Sequence, residues 1–245
     1  MALMRLGIFS DVHGNVEALD IVLNALKEEA VNLTICLGDL VGYGPNPNQC
    51  VEKVMAASDI VLAGNHDYAA VNLESTEHFN ECARTAIEWT SRALTSASQD
   101  ILSKLPLVET IDNILIVHAT PEQPEQWHYI SSAEDAYRNL YNMSVPICFA
   151  GHSHVPMAFI QQEEEQILFQ SATEVDIQPD QKVIINVGSV GQPRDGDPRA
   201  AYGIFDMNEN KFHLKRLAYP IRKVQEKMQK ENLPSFLIER LDTGK

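Results

Sequence analysis

Cysteine is scarce in this 245-residue chain. The four present, Cys36, Cys50, Cys82 and Cys148, lack the paired spacing of a disulfide framework or a zinc site. Cys36 and Cys148 fall inside apolar runs, where a thiol acts as a small hydrophobe. Reduced, buried, non-ligating cysteines are therefore expected, in keeping with a cytoplasmic protein. Long hydrophobic runs are also missing: none approaches the ~20 residues of a membrane span. The opening Met-Ala-Leu-Met-Arg has no charged region, apolar segment or cleavage site of a leader and runs straight into a strand. Basic residues are few, 19 Lys and Arg against 34 Asp and Glu, for a net charge of −15. That disfavours nucleic-acid and membrane partners, because there is no basic patch to release counterions from phosphates. It excludes less about an anionic substrate, since bound divalent ions reverse the local field. Repeats, low-complexity tracts and linkers are absent too. Residues 1–245 read as one domain, and the length suffices for a substantial core.

Apolar periodicity organises what is there. Residues 6–9, 33–37 and 60–62 read as buried strands. Asn15 is the expected cap of an amphipathic helix running to about residue 30, with Val16, Leu19, Val22, Leu23 and Leu26 on one face. A second helix starts near Gln49, after the turn-rich loop Gly42-Tyr-Gly-Pro-Asn-Pro. This alternation builds a parallel sheet. Residues 72–105 read as a helical insertion covering the sheet edge, with Phe79, Ala83, Ile87, Trp89 and Leu94 as its apolar side. Strands near 107–110 and 114–117, a helix near 133–141 and a strand at 147–149 follow. From Met157 the pattern becomes short strands at 166–171, 182–187, 201–206 and 211–217, which predict a mostly antiparallel second sheet. Residues 221–245 read as a helical tail. The expectation is an α/β (α+β) fold with two stacked sheets.

Five of the eight histidines sit in short motifs crowded with Asp, Asn and Gly. In order these are Asp11-Val-His13, Gly38-Asp39, Gly64-Asn65-His66-Asp67, His118 after an apolar run, and Gly151-His152-Ser-His154. Each follows, or nearly follows, a strand, and strand ends in an open α/β sheet converge where such folds place their ligands. Carboxylate and amide oxygens mixed with imidazoles at one edge make a metal site, and there are too many candidates for one ion. In extended backbone, residues two apart point the same way, so Asp11 with His13, and His152 with His154, should reach one ion or two adjacent ones. Asp39 has two oxygens with which to bridge, Asn65 offers an amide oxygen, and Gly14 and Gly151 let backbone pass close to a crowded site. His66 should point elsewhere, with Asp67 able to orient it, as for a general acid held beside the metals. Singly, His118 reads as a structural histidine, Asp11 as a helix N-terminal carboxylate and Asn65 as a turn residue. Their joint order, each block at a strand end, outweighs those readings.

The series Asp-x-His, Gly-Asp, Gly-Asn-His-Asp, His, Gly-His-x-His resembles the calcineurin-like metallophosphoesterases. It looks closest to their small bacterial and archaeal members, phosphodiesterase-like or related to diadenosine tetraphosphatases. The likeness covers roughly residues 4–206 and includes the block Asn186-Val-Gly-Ser-Val-Gly-Gln-Pro-Arg-Asp195. It implies a four-layer αββα sandwich of two mixed sheets and hydrolysis assisted by two ions. Asp11, His13 and His154 would hold one ion, Asn65, His118 and His152 the other, with Asp39 bridging. The ions would activate water for in-line attack on phosphorus, and His66 would protonate or stabilise the leaving oxygen. Mixed His, Asp and Asn ligands suit Mn, Fe, Zn, Ni or Co better than Mg.

The chain departs from the pattern it resembles at one position. Protein phosphatases and symmetrical diadenosine tetraphosphatases of this superfamily read Gly-Asp-x-Val-x-Arg-Gly, and here Tyr43 falls where that Arg would be. A guanidinium forks two hydrogen bonds to phosphate where a phenol offers one. Arg194 is the candidate to supply the missing contact, its plainer reading being an ion pair with Asp195 or Asp197. Tyr43 is a candidate substrate wall, and His128, beside Trp127 and Tyr129, a candidate pocket residue. His78 and His213 read as solvated or structural. The expected activity is a phosphodiesterase or phosphoanhydride hydrolase of small nucleotide-type substrates. The alternatives are a phosphomonoesterase or protein phosphatase, a catalytically weak metal-binding scaffold, and a nuclease, against which the lack of a basic groove argues.

Overall fold

A computed structural model describes residues 4–162 and 166–245. The run 1–3, read above as leading into the first strand, lies outside the described residues. The elements are β1 (Arg5–Phe9), α1 (Val16–Glu28), β2 (Leu33–Cys36), α2 (Pro47–Ala57), β3 (Ile60–Val61), α3 (Asn65–Ala70), α4 (Glu81–Ala93) and α5 (Ser96–Leu102). They continue as β4 (Val108–Ile111), β5 (Ile114–Val117), α6 (Ala133–Asn142), β6 (Ile147–Ala150), β7 (Met157–Gln161) and β8 (Ile167–Ser171). The last are β9 (Glu174–Asp176), β10 (Val183–Asn186), β11 (Ala200–Asp206), β12 (Lys211–Leu217), α7 (Ile221–Lys230) and α8 (Ser235–Glu239).

Local chemistry explains most helix starts. The side chains of Asn15, Asn80, Thr95 and Ser132 accept the free amides of the first turns of α1, α4, α5 and α6, as caps do. α2 begins at Pro47, ahead of the apolar period, because proline suits a first helical turn that needs no N–H from it. α3 escaped the sequence reading: its six residues are too few to show an apolar period, and the first three are the Asn-His-Asp of a site motif.

The late strands do not form a sheet of their own. One six-stranded sheet runs β3-β2-β1-β11-β12-β9 and the other β4-β5-β6-β10-β7-β8. β3, β2 and β1 are parallel, as are β5, β6 and β10, while β11, β12 and β9 add antiparallel strands to the first sheet. The expected antiparallel second sheet is thus split between two mixed sheets. Alternating apolar residues tell which face of a strand is buried and say nothing about which edge it pairs with. β11 is buried along its whole length, as a central strand must be.

Side-chain alternation builds three apolar layers. Leu6, Ile8 and Ile35 of the first sheet meet Ile116, Phe149 and Ile185 of the second, with Phe149 ringed by Phe205 and Phe212 at 5.3 and 5.7 Å. Phe9 and Cys36 face the other way, into Leu19, Val22, Val51, Val54, Val224 and Met228 of α1, α2 and α7. Val117, Cys148 and Ile184 pack on Ala136 and Leu140 of α6. Helices therefore cover both outer faces, and the fold is the αββα sandwich. All four cysteines are free, and Cys36, Cys50 and Cys148 are buried. No described helix is long and apolar enough to cross a membrane.

This stacking places the carboxyl ends of two sets of parallel strands side by side. The motifs after β1, β2 and β3 face those after β5, β6 and β10, and backbone hydrogen bonds stitch them together. Asp11 and His13 donate to the carbonyls of Gly38 and Asp39, Gly151 to His118, and Gly191 to Asp11.

Candidate metal centre

The two strand-end clusters meet in a buried knot of donor atoms. Asp11, His13, Asp39 and His154 each place one ligand-type atom within 4.8 Å of the others, and Asp39, His118 and His152 form a second such group. Asp39 belongs to both. His154 Nε2 lies 3.2 Å from Asp11 Oδ1, and Asp39 Oδ2 is 3.5 Å from His13 Nε2 and 3.4 Å from His118 Nε2. Asn65 comes from the first residue of α3, and its buried Oδ1 has no hydrogen-bond partner.

Backbone carbonyls decide which ring nitrogen faces the knot. His13 Nδ1 donates to the Val41 carbonyl at 3.0 Å, His118 Nδ1 to Leu37 at 3.0 Å and His154 Nδ1 to Gln192 at 2.6 Å. In the neutral ring each Nε2 is then a lone pair facing the knot. His152 is reversed: its Nε2 donates to the Trp127 carbonyl at 2.9 Å, leaving Nδ1 as the lone pair. Two such lone pairs, on His13 Nε2 and His154 Nε2, confront each other at 3.0 Å, and Asp11 Oδ1 and His118 Nε2 also lack hydrogen-bond partners. Buried polar atoms left unpaired are costly, and divalent cations, displacing the His118 proton, would satisfy all of them at once. Fixing a ligand imidazole through its far nitrogen is how metal sites orient their histidines.

The convergence is not achieved by extended backbone. Asp11, His13, Asp39, His152 and His154 all adopt positive φ, between 48° and 66°. The pairs separated by one residue meet through left-handed kinks rather than strand alternation, so the expected geometry holds in outcome and fails in cause. Left-handed non-glycine residues are strained and gather at functional sites. Gly151 leaves room for this crowding: a Cβ there would lie 2.0 Å from Ser10 Oγ and 2.6 Å from Asp11 Oδ2.

Burial and mutual charge set the protonation of the knot. Burial alone would raise Asp11 and Asp39, but the facing histidines, His154 first for Asp11 and His118 for Asp39, hold both below the usual carboxylate range. Burial lowers His13 and His154, as metal binding requires. It would lower His118 as well, but Asp39 outweighs it and pushes His118 up to about 9, so a metal ion has to displace a proton there. Burial carries His66 down to about 4 and His152 to about 3. The unfolded chain protonates these two near 6.5 and the folded chain does not. Their contribution to stability is therefore complete above pH 6.5 and is lost as pH falls toward 4. Denaturant melts of metal-free protein between pH 7 and pH 4 should show that loss, and His66→Ala should flatten it.

His66 stands beside the knot, its ring 4.9 Å from His13, 4.4 Å from Tyr43 and 4.9 Å from Phe79. Asp67 does not orient it, which corrects the expected catalytic pairing. One Asp67 oxygen accepts the Val41 amide at 3.1 Å and the other the Gly64 amide at 3.0 Å, while His66 Nδ1 is buried without a partner. Asp67 is the third residue of α3 and closes its first turn. Aromatic packing and Gly42 hold His66 instead, since a Cβ at Gly42 would strike its Nδ1 at 2.5 Å.

The knot opens into a cleft of about 570 Å³ lined by Tyr43, Asn65, His66, His152 and Arg194 at its base and by Glu74, Phe79, Trp127, His128 and Tyr129 at its walls. His128 is thus a pocket residue, as expected, and exposed His78 joins the rim. His213 pairs with Glu174 on β9, away from the cleft. Arg194 is not held by either neighbouring acid: Asp195 binds Arg216, and Asp197 binds Arg199 at 2.6 Å. Its Nη2 donates to Tyr43 Oη at 3.2 Å, so the two residues singled out around the missing arginine form one unit. Glu74, absent from the sequence reading, accepts Trp127 Nε1 at 2.9 Å and ties the segment before α4 across the cleft. Gln192 and the orienting carbonyls were also missed, because a main-chain oxygen carries no mark in the residue that bears it.

The calcineurin-like phosphoesterase superfamily domain matches residues 4–210. The chain is 39% identical to an uncharacterized protein of Methanocaldococcus jannaschii, over the whole of both chains. The solved structure of a metallophosphoesterase from Sphaerobacter thermophilus is 37% identical, covers 99% of each chain and superposes with a TM-score of 0.85. A hypothetical protein from Pyrococcus horikoshii OT3, 16% identical over 99% of each chain, shares the fold at a TM-score of 0.79. The chain belongs to the calcineurin-like phosphoesterase superfamily.

Proposed function

We propose that this member of the calcineurin-like phosphoesterase superfamily hydrolyses phosphodiester or phosphoanhydride bonds in small, nucleotide-type substrates with the help of two divalent transition-metal ions. The observation that carries the reading is the pair of donor groups sharing Asp39, with four imidazole nitrogens turned inward by backbone carbonyls. Asp11, His13 and His154 would hold one ion, Asn65, His118 and His152 the other, and Asp39 both. Manganese, iron, zinc, nickel or cobalt suits this donor set. When bound, the ions supply Lewis acidity toward a phosphoryl group and toward water.

The chain's own residues do the rest. At neutral pH His66 is a neutral imidazole beside the ligands, and its one N–H can donate a hydrogen bond that stabilises the departing oxygen. Arg194, steadied by Tyr43, takes a phosphate oxygen in place of the arginine that Tyr43 replaces. Glu74, Phe79, Trp127 and Tyr129 wall the cleft, whose volume is that of small-ligand sites. This favours a small substrate over a phosphoprotein, a nucleic acid or a membrane, and four free thiols suit a cytoplasmic setting. The ligand set is complete, which disfavours a decayed scaffold. A manganese-supplemented screen across monoesters, diesters, cyclic nucleotides, dinucleoside polyphosphates and phosphopeptides should show diesters or anhydrides turned over fastest. Highest turnover on phosphopeptides or simple monoesters would sink the substrate assignment.

A further inference from the structure

Two guanidinium groups from distant parts of the chain meet at one neutral oxygen. Arg194 Nη2 donates to Gln192 Oε1 at 2.9 Å, and Arg240 Nη1 donates to the same atom at 3.1 Å. Among the described residues neither arginine pairs with an Asp or Glu side chain, although the chain carries a net charge of −15; Arg240 Nε donates to the main-chain oxygen of Lys245 at 2.5 Å. The nearby acids are engaged elsewhere: Asp195 with Arg216, Asp197 with Arg199, and Asp242 with Gln225. Both arginines are partly buried, and Arg194 Nε is buried without a partner. Burial, with Arg194 beside it, lowers Arg240 to about 10. Two like charges gathered in a poorly solvated spot repel until an anion joins them.

The geometry has a direction. Arg194 lines the cleft beside Asn65, His66 and His152, and its backbone amide bonds the His154 carbonyl at 3.2 Å. Arg240 does not line the cleft. It sits in the turn after α8, its guanidinium 5.1 Å from the Phe236 ring, beyond the residues matched by the family domain. The two communicate through a Gln192 amide whose buried Nε2 has no partner. An amide keeps such an orientation only while its oxygen is well used, and here that oxygen accepts both arginines.

We propose that Arg194 binds a non-bridging phosphate oxygen of the substrate and that Arg240 is a positioning residue, acting through Gln192 Oε1 to hold the Arg194 guanidinium unneutralised and aimed into the cleft. This rests on the phosphoesterase reading and adds the C-terminal segment to the site. Without Arg240 the Gln192 amide is free to turn, and Arg194 loses a fixed partner.

The test is inorganic phosphate binding to manganese-loaded protein by calorimetry, alongside KM and kcat for a p-nitrophenyl phosphodiester. Arg194→Met should weaken phosphate binding by about 10–100-fold, the range of one charge-assisted hydrogen bond. Arg240→Met should weaken it by about 3–10-fold and raise KM more than it lowers kcat. Arg240→Lys should recover much of the loss. Gln192→Leu, which breaks the relay in its middle and keeps the carbonyl that His154 uses, should reproduce it even where Arg240→Met folds poorly. The double variant R194M/R240M should bind no more weakly than R194M, because Arg240 acts through Arg194. Unchanged phosphate binding in both Arg240→Met and Gln192→Leu, a multiplicative loss in the double variant, or loss of bound manganese in Arg240→Met would each overturn the proposal. Phosphate binding needs no turnover. A wild-type protein that fails to hydrolyse the ester while the phosphate series holds would therefore sink the phosphoesterase reading alone.

Discussion

Asp39→Asn should lower metal-supported phosphodiester hydrolysis by roughly 10³-fold or more while leaving the metal-free fold close to unchanged. The carboxylate belongs to both donor groups, so its charge is the one contribution that neither group can replace from its own side. Metal Lewis acidity is worth several kcal/mol to such a reaction, and each ~1.4 kcal/mol is a factor of ten in rate. The amide keeps the shape of the side chain and can still accept the His66 backbone amide, which Asp39 Oδ1 takes at 2.9 Å. Structural damage and metal loss are thereby separated. Wild-type protein should gain about 2.7 kcal/mol of stability at a metal concentration a hundredfold above its dissociation constant, and Asp39→Asn should gain far less. A variant that melts as wild type does with manganese, and turns over as fast, would remove Asp39 from the shared position.

His66→Ala should behave in the opposite way, retaining metal and losing turnover. The ring contributes no atom to either donor group, and its backbone amide, which anchors Asp39, survives the substitution. A fixed hydrogen-bond donor aimed at the developing negative charge is worth roughly 10²–10³-fold. The loss should depend on the leaving group: small for p-nitrophenolate, which departs without much help, and large for an alkyl or ribose alkoxide. An equal loss for both would show that His66 shapes the site rather than assisting departure. The Tyr43 and Phe79 rings, 4.4 and 4.9 Å away, make that alternative physically specific.

Much of this was legible in the sequence, and the reasons differ by element. Strands β5 and β12 were readable to the residue because a turn precedes each, β5 as an unbroken apolar run and β12 with Phe212 and Leu214 alternating with polar residues. The convergence of the candidate ligand motifs was readable because each follows a parallel strand, and such ends converge whatever the loops do. The pairing of β9, β11 and β12 with the first sheet was not readable, since alternation fixes a face and not a neighbour. The left-handed kinks at Asp11, His13, His152 and His154 were hidden for a similar reason: their chemistry names a ligand, while their φ is imposed by the loops they join. Asp67 misled because its place next to His66 in sequence suggested contact, whereas in α3 adjacent side chains diverge and its oxygens meet Val41 and Gly64 instead. Arg240 gave no signal, because its meaning comes from Gln192, 48 positions away.

The proposed hydrolysis requires that the buried Asp and His knot bind ions that the chemistry needs. The direct measurement is hydrolysis of bis(p-nitrophenyl) phosphate by chelator-stripped protein as manganese is titrated back, with bound metal counted on the same samples. Activity should vanish on stripping and return in step with the metal, reaching its plateau at two ions per chain. Full activity in protein shown to be free of metal would contradict the account at its centre.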